Sequence, residues 1–314
     1  MLSKEPIIKW TGSKRKQAPS IVSYFPRKIK TYYEPFVGGG SVLHELLNRI
    51  ATHDIECERI VCVDINKDLI DFYNAFRNNR QELYDYYCKL HNELKARAHY
   101  IEGTPVTPKH VEMCKGLYYE MREKYNKMDK NDPERPYIFY WITRTSFNGL
   151  IRYNSKGEFN SPFHVAGRFG ITPEKLEHVF EAWGEVIDMM GDRIEFVCDD
   201  YFNVIKDAGE GDVVYMDPPY IISGGMYFTD EFDHNLLYQL MAEMTTNGVK
   251  WLLSYDGFSG ATNNTAELPD IYTSHVYVNS GHSSFKKLKS KSVGTNAKDV
   301  VYDSLYTNFE IEDK

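Results

Sequence analysis

Two short stretches hold residues whose types and spacing could do chemistry. In VVYMDPPYII, residues Val213 to Ile222, an acid, two prolines and a tyrosine follow a run of strand-forming residues. Pro218 biases Asp217 toward an extended backbone and Pro219 stiffens the next step, so the carboxylate, the Pro218 carbonyl and the Tyr220 ring are held in a preset relation. Such a corner suits a planar amine: Asp217 and the Pro218 carbonyl accept its two N–H bonds while Tyr220 stacks on the ring that carries it. Drawing on both hydrogens aims the nitrogen lone pair at an electrophile, a reaction that asks for orientation more than for acid–base power. D-P-P alone is also how an edge strand leaves a sheet, so the corner needs a companion.

The companion is YYEPFVGGGSV. Gly38, Gly39 and Gly40 stand where a strand gives way to a helix and let the backbone approach a ligand with no side chain between. Asp64 then ends a second strand, the position that binds ribose hydroxyls in a doubly wound sheet, although it could equally cap a helix. Together they point to a nucleoside-containing cofactor. There is no G-K-[ST], so this is not a phosphate-gripping P-loop, and the spacing is not G-x-G-x-x-G. Glu34 ahead of the glycines favours a cationic ligand over a pyrophosphate, and a sulfonium meets that description.

The elements that must position these residues can be read from periodicity. TYYEPF and RIVCVD read as buried strands, each followed by a helical segment, SVLHELLNRI and then NKDLIDFYNAFRNN. From about Gln81 to Gly184 the pattern turns helical and rich in tyrosine, with Thr107-Pro108 and Thr172-Pro173 each offering an N-cap followed by proline. The turn-rich NGLIRYNSKGEFNSPF sits inside this insert. Strands resume with RIEFVC, DVVYMD, KWLLSYD and YDSLYTNF. The expected fold is therefore α/β, a catalytic domain over residues 1–75 and 186–314 interrupted by an insert over 76–185 that carries a hairpin-like segment around 147–163.

Composition excludes several classes. No apolar run spans a bilayer and the first residues lack the apolar core of a signal peptide, which points to a cytoplasmic protein. Five cysteines with no C-x-x-C pair argue against a disulfide framework and a zinc cluster. The net charge of -8 gives no global reason to expect a polyanion. Locally, however, Lys4 to Lys30 holds eight Lys or Arg against one Glu, and Ser274 to Ala297 carries Lys286, Lys287, Lys289 and Lys291 with no acid. Either stretch alone could be an ordinary solvated surface.

K-W-T-G-S-K (Lys9 to Lys14), E-P-F-V-G-G-G (Glu34 to Gly40), F-N-G-L-I-R-Y-N-S-K-G-E-F-N-S-P-F (Phe147 to Phe163) and D-P-P-Y, in that order, resemble the Dam and DpnII-type adenine-N6 DNA methyltransferases of the alpha group. The resemblance runs from Lys9 to the closing D-S-L-Y-T-N-F. It implies a Rossmann-like S-adenosylmethionine-dependent methyltransferase fold, a mostly parallel seven-stranded sheet with helices on both faces, and an inserted, mainly helical target-recognition domain. It implies S-adenosylmethionine as cofactor, S-adenosylhomocysteine as product, no metal, and double-stranded DNA as partner. A cognate restriction endonuclease, a monomer in the nucleoid and a GATC or related target are further expectations.

Residue by residue, the resemblance assigns Asp217, Pro218, Pro219 and Tyr220 to catalysis. Trp10, Gly12 and Lys14 match the motif that closes over the cofactor. Glu34, Pro35, Phe36, Gly38, Gly39 and Gly40 match its loop, Asp64 the ribose acid, and Asp200 with Tyr201 the adenine end, although Asp199 beside Asp200 competes for that role. Lys9, Phe147, Asn148, Leu150, Arg152, Asn154 and Pro162 match DNA-contacting positions. Arg152 is the best equipped, since a guanidinium bonds both acceptors of a guanine edge. The basic stretches then serve as phosphate contacts. Two departures bear on the target: family members often have tyrosine at Phe147, and H-V-A-G-R-F-G follows Pro162-Phe163 where the family continues G-R-Y.

Rivals account for less. A cytosine carbon-5 methyltransferase needs a nucleophilic cysteine, typically after proline, and no cysteine here follows one. His91-Asn92-Glu93 imitates the H-x-E of a zinc deaminase without its P-C-x-x-C. A nicotinamide dehydrogenase leaves D-P-P-Y idle. A methyltransferase on another planar amine, in RNA or a protein glutamine, and a non-catalytic DNA-binding module stay open.

Overall fold

The computed structural model describes residues 5–163, 169–219, 232–259, 262–282 and 300–311. Tyr220 and Lys286 to Lys291 lie outside the described residues. The chain divides into two compact units: one formed by residues 14–37, 41–65 and 192–314, the other by residues 1–13, 38–40 and 66–191.

The first unit is built on a sheet of β1 (Lys28–Glu34), β2 (Glu56–Asp64), β3 (Ile194–Cys198), β4 (Val213–Met216), β5 (Lys250–Ser259), β7 (Ser274–His282) and β8 (Val300–Thr307), in the order β3-β2-β1-β4-β5-β8-β7. A two-residue β6 (Thr262–Asn263) pairs with β5 off this path. The pairs β2–β3, β1–β2, β1–β4 and β4–β5 are parallel, and β8 runs antiparallel between β5 and β7. This is the expected mostly parallel seven-stranded sheet, with one small extra strand. β7 was not legible as a strand, because its alternation rests on only two aliphatic residues, Val276 and Val278, and the longer stretch reads first as basic.

Every residue of β4 is buried, so both faces of the sheet are covered there. One face carries α8 (Tyr201–Ile205) and α9 (His234–Thr246), whose Leu237, Leu240, Met241 and Met244 pack on Val214, Met216, Trp251 and Leu253. On the other, Phe25, just past α1 (Ala18–Ser23), meets Tyr32 and Tyr215 with ring centroids 5.5 and 6.5 Å away. α2 (Ser41–Ala51) follows β1. Between the parallel neighbours β2 and β3, where Asp64 lies opposite Cys198, the chain makes the long excursion of residues 65–193.

Most of that excursion is the second unit: α3 (Lys67–Asn78), α4 (Arg80–Arg97), α5 (Pro108–Lys127), α6 (Arg135–Thr145) and α7 (Pro173–Met190). Thr107 caps α5, its hydroxyl accepting from the His110 N–H at 3.3 Å, whereas Thr172 begins α7 without a side-chain cap bond. α3 packs on α6, so the helical unit starts at Asn66, earlier than the periodicity suggests. Arg135 and Asp68 lock the two helices. The guanidinium, 2% exposed, donates to Asp68 at 2.6 and 3.3 Å and lies over the Tyr125 ring, and the Tyr125 hydroxyl also bonds Asp68.

Candidate active site and candidate recognition hairpin

β1 and β4 are parallel neighbours whose connections leave in opposite directions, β1 toward β2 and β4 toward β5. In an open α/β sheet, ligands bind beyond the carboxyl ends of the strands at such a switch point. Glu34 ends β1, Asp64 ends β2 and Asp217 follows β4. The sequence-predicted acids therefore gather along one edge of the sheet.

Asp217 is half-buried at the end of β4, with Pro218 buried beside it. Its Oδ1 is 3.1 Å from the Lys14 ammonium, which also lies 3.2 Å from Asp303 Oδ2. Burial works against the charge of Lys14, but Asp217 and Asp303 outweigh it and hold its pKa well above the lysine range. A carboxylate held against an ammonium accepts hydrogen bonds from a third group and does not donate them. Lys14 matches a cofactor position in the resemblance, yet here its charge is spent on the acid of the D-P-P corner. Asp303 and the Gln17 that bonds it were not found from sequence; a buried acid in the core-facing register of YDSLYT was the available signal.

Glu34 is 3% exposed and accepts from the Tyr32 hydroxyl at 2.8 Å. Burial pushes its carboxyl up to about 8; Asp217 adds to the rise, while the Tyr32 hydroxyl and the Leu43 backbone oppose it. At neutral pH it is therefore mostly protonated, and the standing negative charge expected of it is absent from the isolated chain. Phe36 packs on Tyr201 at 5.3 Å, bringing two sequence-predicted cofactor residues together, with Phe232 as a third ring. The turn after Glu34 is tied to β2 by the bond from Val37 N–H to the Val63 carbonyl at 2.9 Å.

At the far end of β3, Asp200 is exposed and caps α8, accepting from Phe202 N–H at 2.9 Å. Asp199 Oδ1 accepts from both Asp200 N–H and the Asn203 amide, at 2.7 and 2.9 Å, and those bonds hold its carboxyl below the usual range. Asp199 is thus committed to the turn. Beside Asp64, Ile65 leaves 71% of its surface exposed, a large aliphatic face that sequence reading passed over. Among the described residues no three His, Cys, Asp or Glu side chains group to hold a metal ion.

Within the helical unit, Trp10 lies against the glycines. An added Cβ on Gly38 or Gly39 would come within 2.9 Å of its side chain. Gly38 and Gly40 have φ of +46° and +63°, so both positions need glycine on conformational grounds as well. The Tyr73 hydroxyl donates to the Gly38 carbonyl at 2.9 Å. Gly12 also has positive φ.

The segment 147–163 is hairpin-like, as expected. Ser146 bridges Phe163 and Tyr153 bridges Phe159, and the Phe147 N–H donates to the Pro162 carbonyl at 2.9 Å. Phe159 and Phe163 point inward and are buried; Tyr153 reaches Asp68. Phe147, Arg152 and Pro162 are exposed, and Leu150 is half-buried. Arg152 Nε donates to Asn160 Oδ1 at 2.7 Å, which orients the guanidinium. Asn154 builds the tip, accepting from Lys156 and Glu158 N–H at 2.9 and 3.0 Å. Asn148 sits in a short 3₁₀ turn, where Gly149, at φ +69°, leaves room for the Lys9 stem.

A sequence model of the D12 class N6 adenine-specific DNA methyltransferase family matches residues 10–290. The DNA adenine methylase of Escherichia coli K12 is 32% identical over 70% of this chain and 66% of its own length. The type II methyltransferase M.MjaIII of Methanocaldococcus jannaschii is 29% identical over 80% of this chain and 83% of its own. M1.LlaDCHI of Lactococcus lactis is 30% identical over 69% of this chain, which spans 66% of that relative's length. Among solved structures, an rRNA methyltransferase from Streptomyces viridochromogenes aligns over 92% of this chain and 80% of its own at TM-score 0.33 and 9% identity. That likeness is remote, and the fold rests on the strand order itself.

Proposed function

The chain belongs to the D12 class N6 adenine-specific DNA methyltransferases, and from that premise we propose that it methylates the N6 amine of an adenine extruded from duplex DNA. The observation that carries this reading is the lysine-held Asp217 at the switch point between β1 and β4. Asp217 and the Pro218 carbonyl accept the two amine hydrogens, Pro219 fixes the turn, and Tyr220 stacks on the base. Extruding the base costs a few kcal/mol, offset by that stacking and those hydrogen bonds.

The residues present fit S-adenosylmethionine. Asp64 would take the ribose hydroxyls, exposed Ile65 the flat face of the adenine, Asp200 its amine and Phe36 part of the remainder; Trp10 and Gly38 to Gly40 are assigned to the cofactor on the family pattern alone. When bound, that cofactor supplies a methyl group on a positively charged sulfur. Bound nearby, it would also draw the proton from Glu34, restoring the charge that burial suppresses.

Sequence reading falls to the exposed face of the hairpin. Phe147 serves as the aromatic that fills the emptied helix, and Arg152 as the base reader; Lys9, Asn148, Leu150, Asn154 and Pro162 complete that surface. A GATC-type target is proposed on the family pattern of these positions. A cognate endonuclease is proposed only on the type II names that two relatives carry.

The test is transfer of tritiated methyl from S-adenosylmethionine to duplexes of varied sequence, the product base being identified by mass. N6-methyladenine is expected, and Asp217→Asn should lower the rate by about 10²–10³-fold, as loss of a hydrogen-bonding partner for the reacting group does. Methyl found on RNA alone, or on a glutamine, would overturn the reading.

A further inference from the structure

One buried lysine serves two carboxylates beside the D-P-P corner. Lys14 Nζ lies 3.1 Å from Asp217 and 3.2 Å from Asp303, and the lysine is 6% exposed. Asp303, on the antiparallel strand β8, is fixed in turn: Gln17 Nε2 donates to its Oδ2 at 2.8 Å and to Ser280 Oγ of β7 at 2.8 Å. Gln17 stands at the start of α1 and is 5% exposed. Two acids therefore share one ammonium, and α1 and β7 brace the second of them through Gln17. Among the described residues, Tyr215 of β4 and Asp256 of β5, which pairs across the strands with Asp303, also face it, while Glu34 of β1 faces Asp217.

An ammonium with a single carboxylate partner would close on it and drain the electron density that a second donor needs. We propose that Asp303, anchored by Gln17, is a positioning residue that divides the charge of Lys14 between two acids, so that Asp217 stays a strong acceptor for the adenine amine. The proposal rests on the functional reading above. Asp303 touches neither substrate nor cofactor; it acts through Lys14.

Asp303→Asn removes a neighbouring anion and leaves more of the Lys14 charge on Asp217. The single-turnover methylation rate should then fall about tenfold, with its acidic limb moved to lower pH, while cofactor affinity stays within about twofold. A readout free of cofactor is the preference for a duplex with adenine over one with purine, which lacks the amine, at the target position. Wild-type protein should prefer adenine, and Asp303→Asn should lose most of that preference. Asp303→Glu should restore part of both. Should Asp303→Asn not fold, Gln17→Met, which leaves every charge in place, carries the test with a smaller loss in the same direction.

In a Lys14→Met background, Asp303→Asn should cost nothing further. A folded Asp303→Asn with wild-type rate and preference, or a rate loss with an unmoved acidic limb, would overturn the proposal; so would an unaffected Gln17→Met. Wild-type protein that methylates no adenine would instead sink the functional reading.

Discussion

Most copies of the Glu34 carboxyl hold their proton at neutral pH, because ionising it inside the sheet forfeits water that Tyr32 and one backbone amide only partly replace. Its folded pKa of about 8 exceeds the ordinary 4.5, so the folded chain binds a proton that the unfolded chain has released. The stability from this group is complete below the unfolded value and is lost as pH rises through the folded one. Urea denaturation should therefore show the wild type losing on the order of a few kcal/mol between pH 5 and 8.5, and Glu34→Gln losing much less. Gly40→Ala should cost about 1–3 kcal/mol in thermal unfolding, since the position has φ +63° and an added Cβ would meet the Tyr73 hydroxyl at 2.7 Å. D-P-P and the glycine triplet were legible because their chemistry is local. Lys14, Gln17 and Asp303 were not legible as a cluster, because their contacts close 286 and 289 positions apart and only the folded sheet brings them together.

At the scale of elements, the helix α2 announced itself by its period, and the strands β2 and β4 by unbroken apolar runs buried on both faces. The hairpin was visible through its turn residues. What holds it was not: Tyr153 against Asp68, and the Asn126 amide donating to the Phe159 carbonyl at 3.0 Å, tie it to α3 and α5. Asp68→Asn would leave the Arg135 guanidinium buried and half-paired. A loss of about 3–5 kcal/mol in chemical denaturation is expected, with weakened discrimination between targets as the hairpin loosens. Burial raises the Asp68 carboxyl, but its bonds from Arg135 and Tyr125 bring it below the usual value, so its contribution holds above that value and fades only in acid. Arg152→Ala should relax selectivity at one base pair by about 1–3 kcal/mol, read as methylation rates across single-base variants of the target, with little change at the others.

For the molecule as a whole, charge decides how it meets a polyanion. The basic stretch from Lys4 to Lys30 reads as one surface in sequence, but the fold divides it. Lys14 is withdrawn into its ion pairs, and Arg27, Lys28 and Lys30 lie at the amino end of β1, whereas Glu34 and the site lie at its carboxyl end, about 20 Å along the strand. Lys28 moreover sits 3.6 Å from Glu56. Replacing Lys28 and Lys30 by glutamine should leave the salt dependence of duplex affinity unchanged, whereas replacing Lys16, exposed two positions past the buried Lys14, should flatten its slope by about one. Equal effects from both ends would mean that the duplex reaches round the sheet.

The entire helical unit is joined, but for its short amino-terminal piece and three glycines, by one crossover between two strands that are already side by side, with Asp64 facing Cys198. Any replacement cassette has only to begin and end one strand spacing apart, about 5 Å, and lengthening it adds little entropic cost. If the helical unit carries target choice, as proposed, exchanging residues 66–191 between relatives should change the methylated sequence in one step, provided the incoming piece keeps the Tyr73 hydroxyl that holds the Gly38 carbonyl.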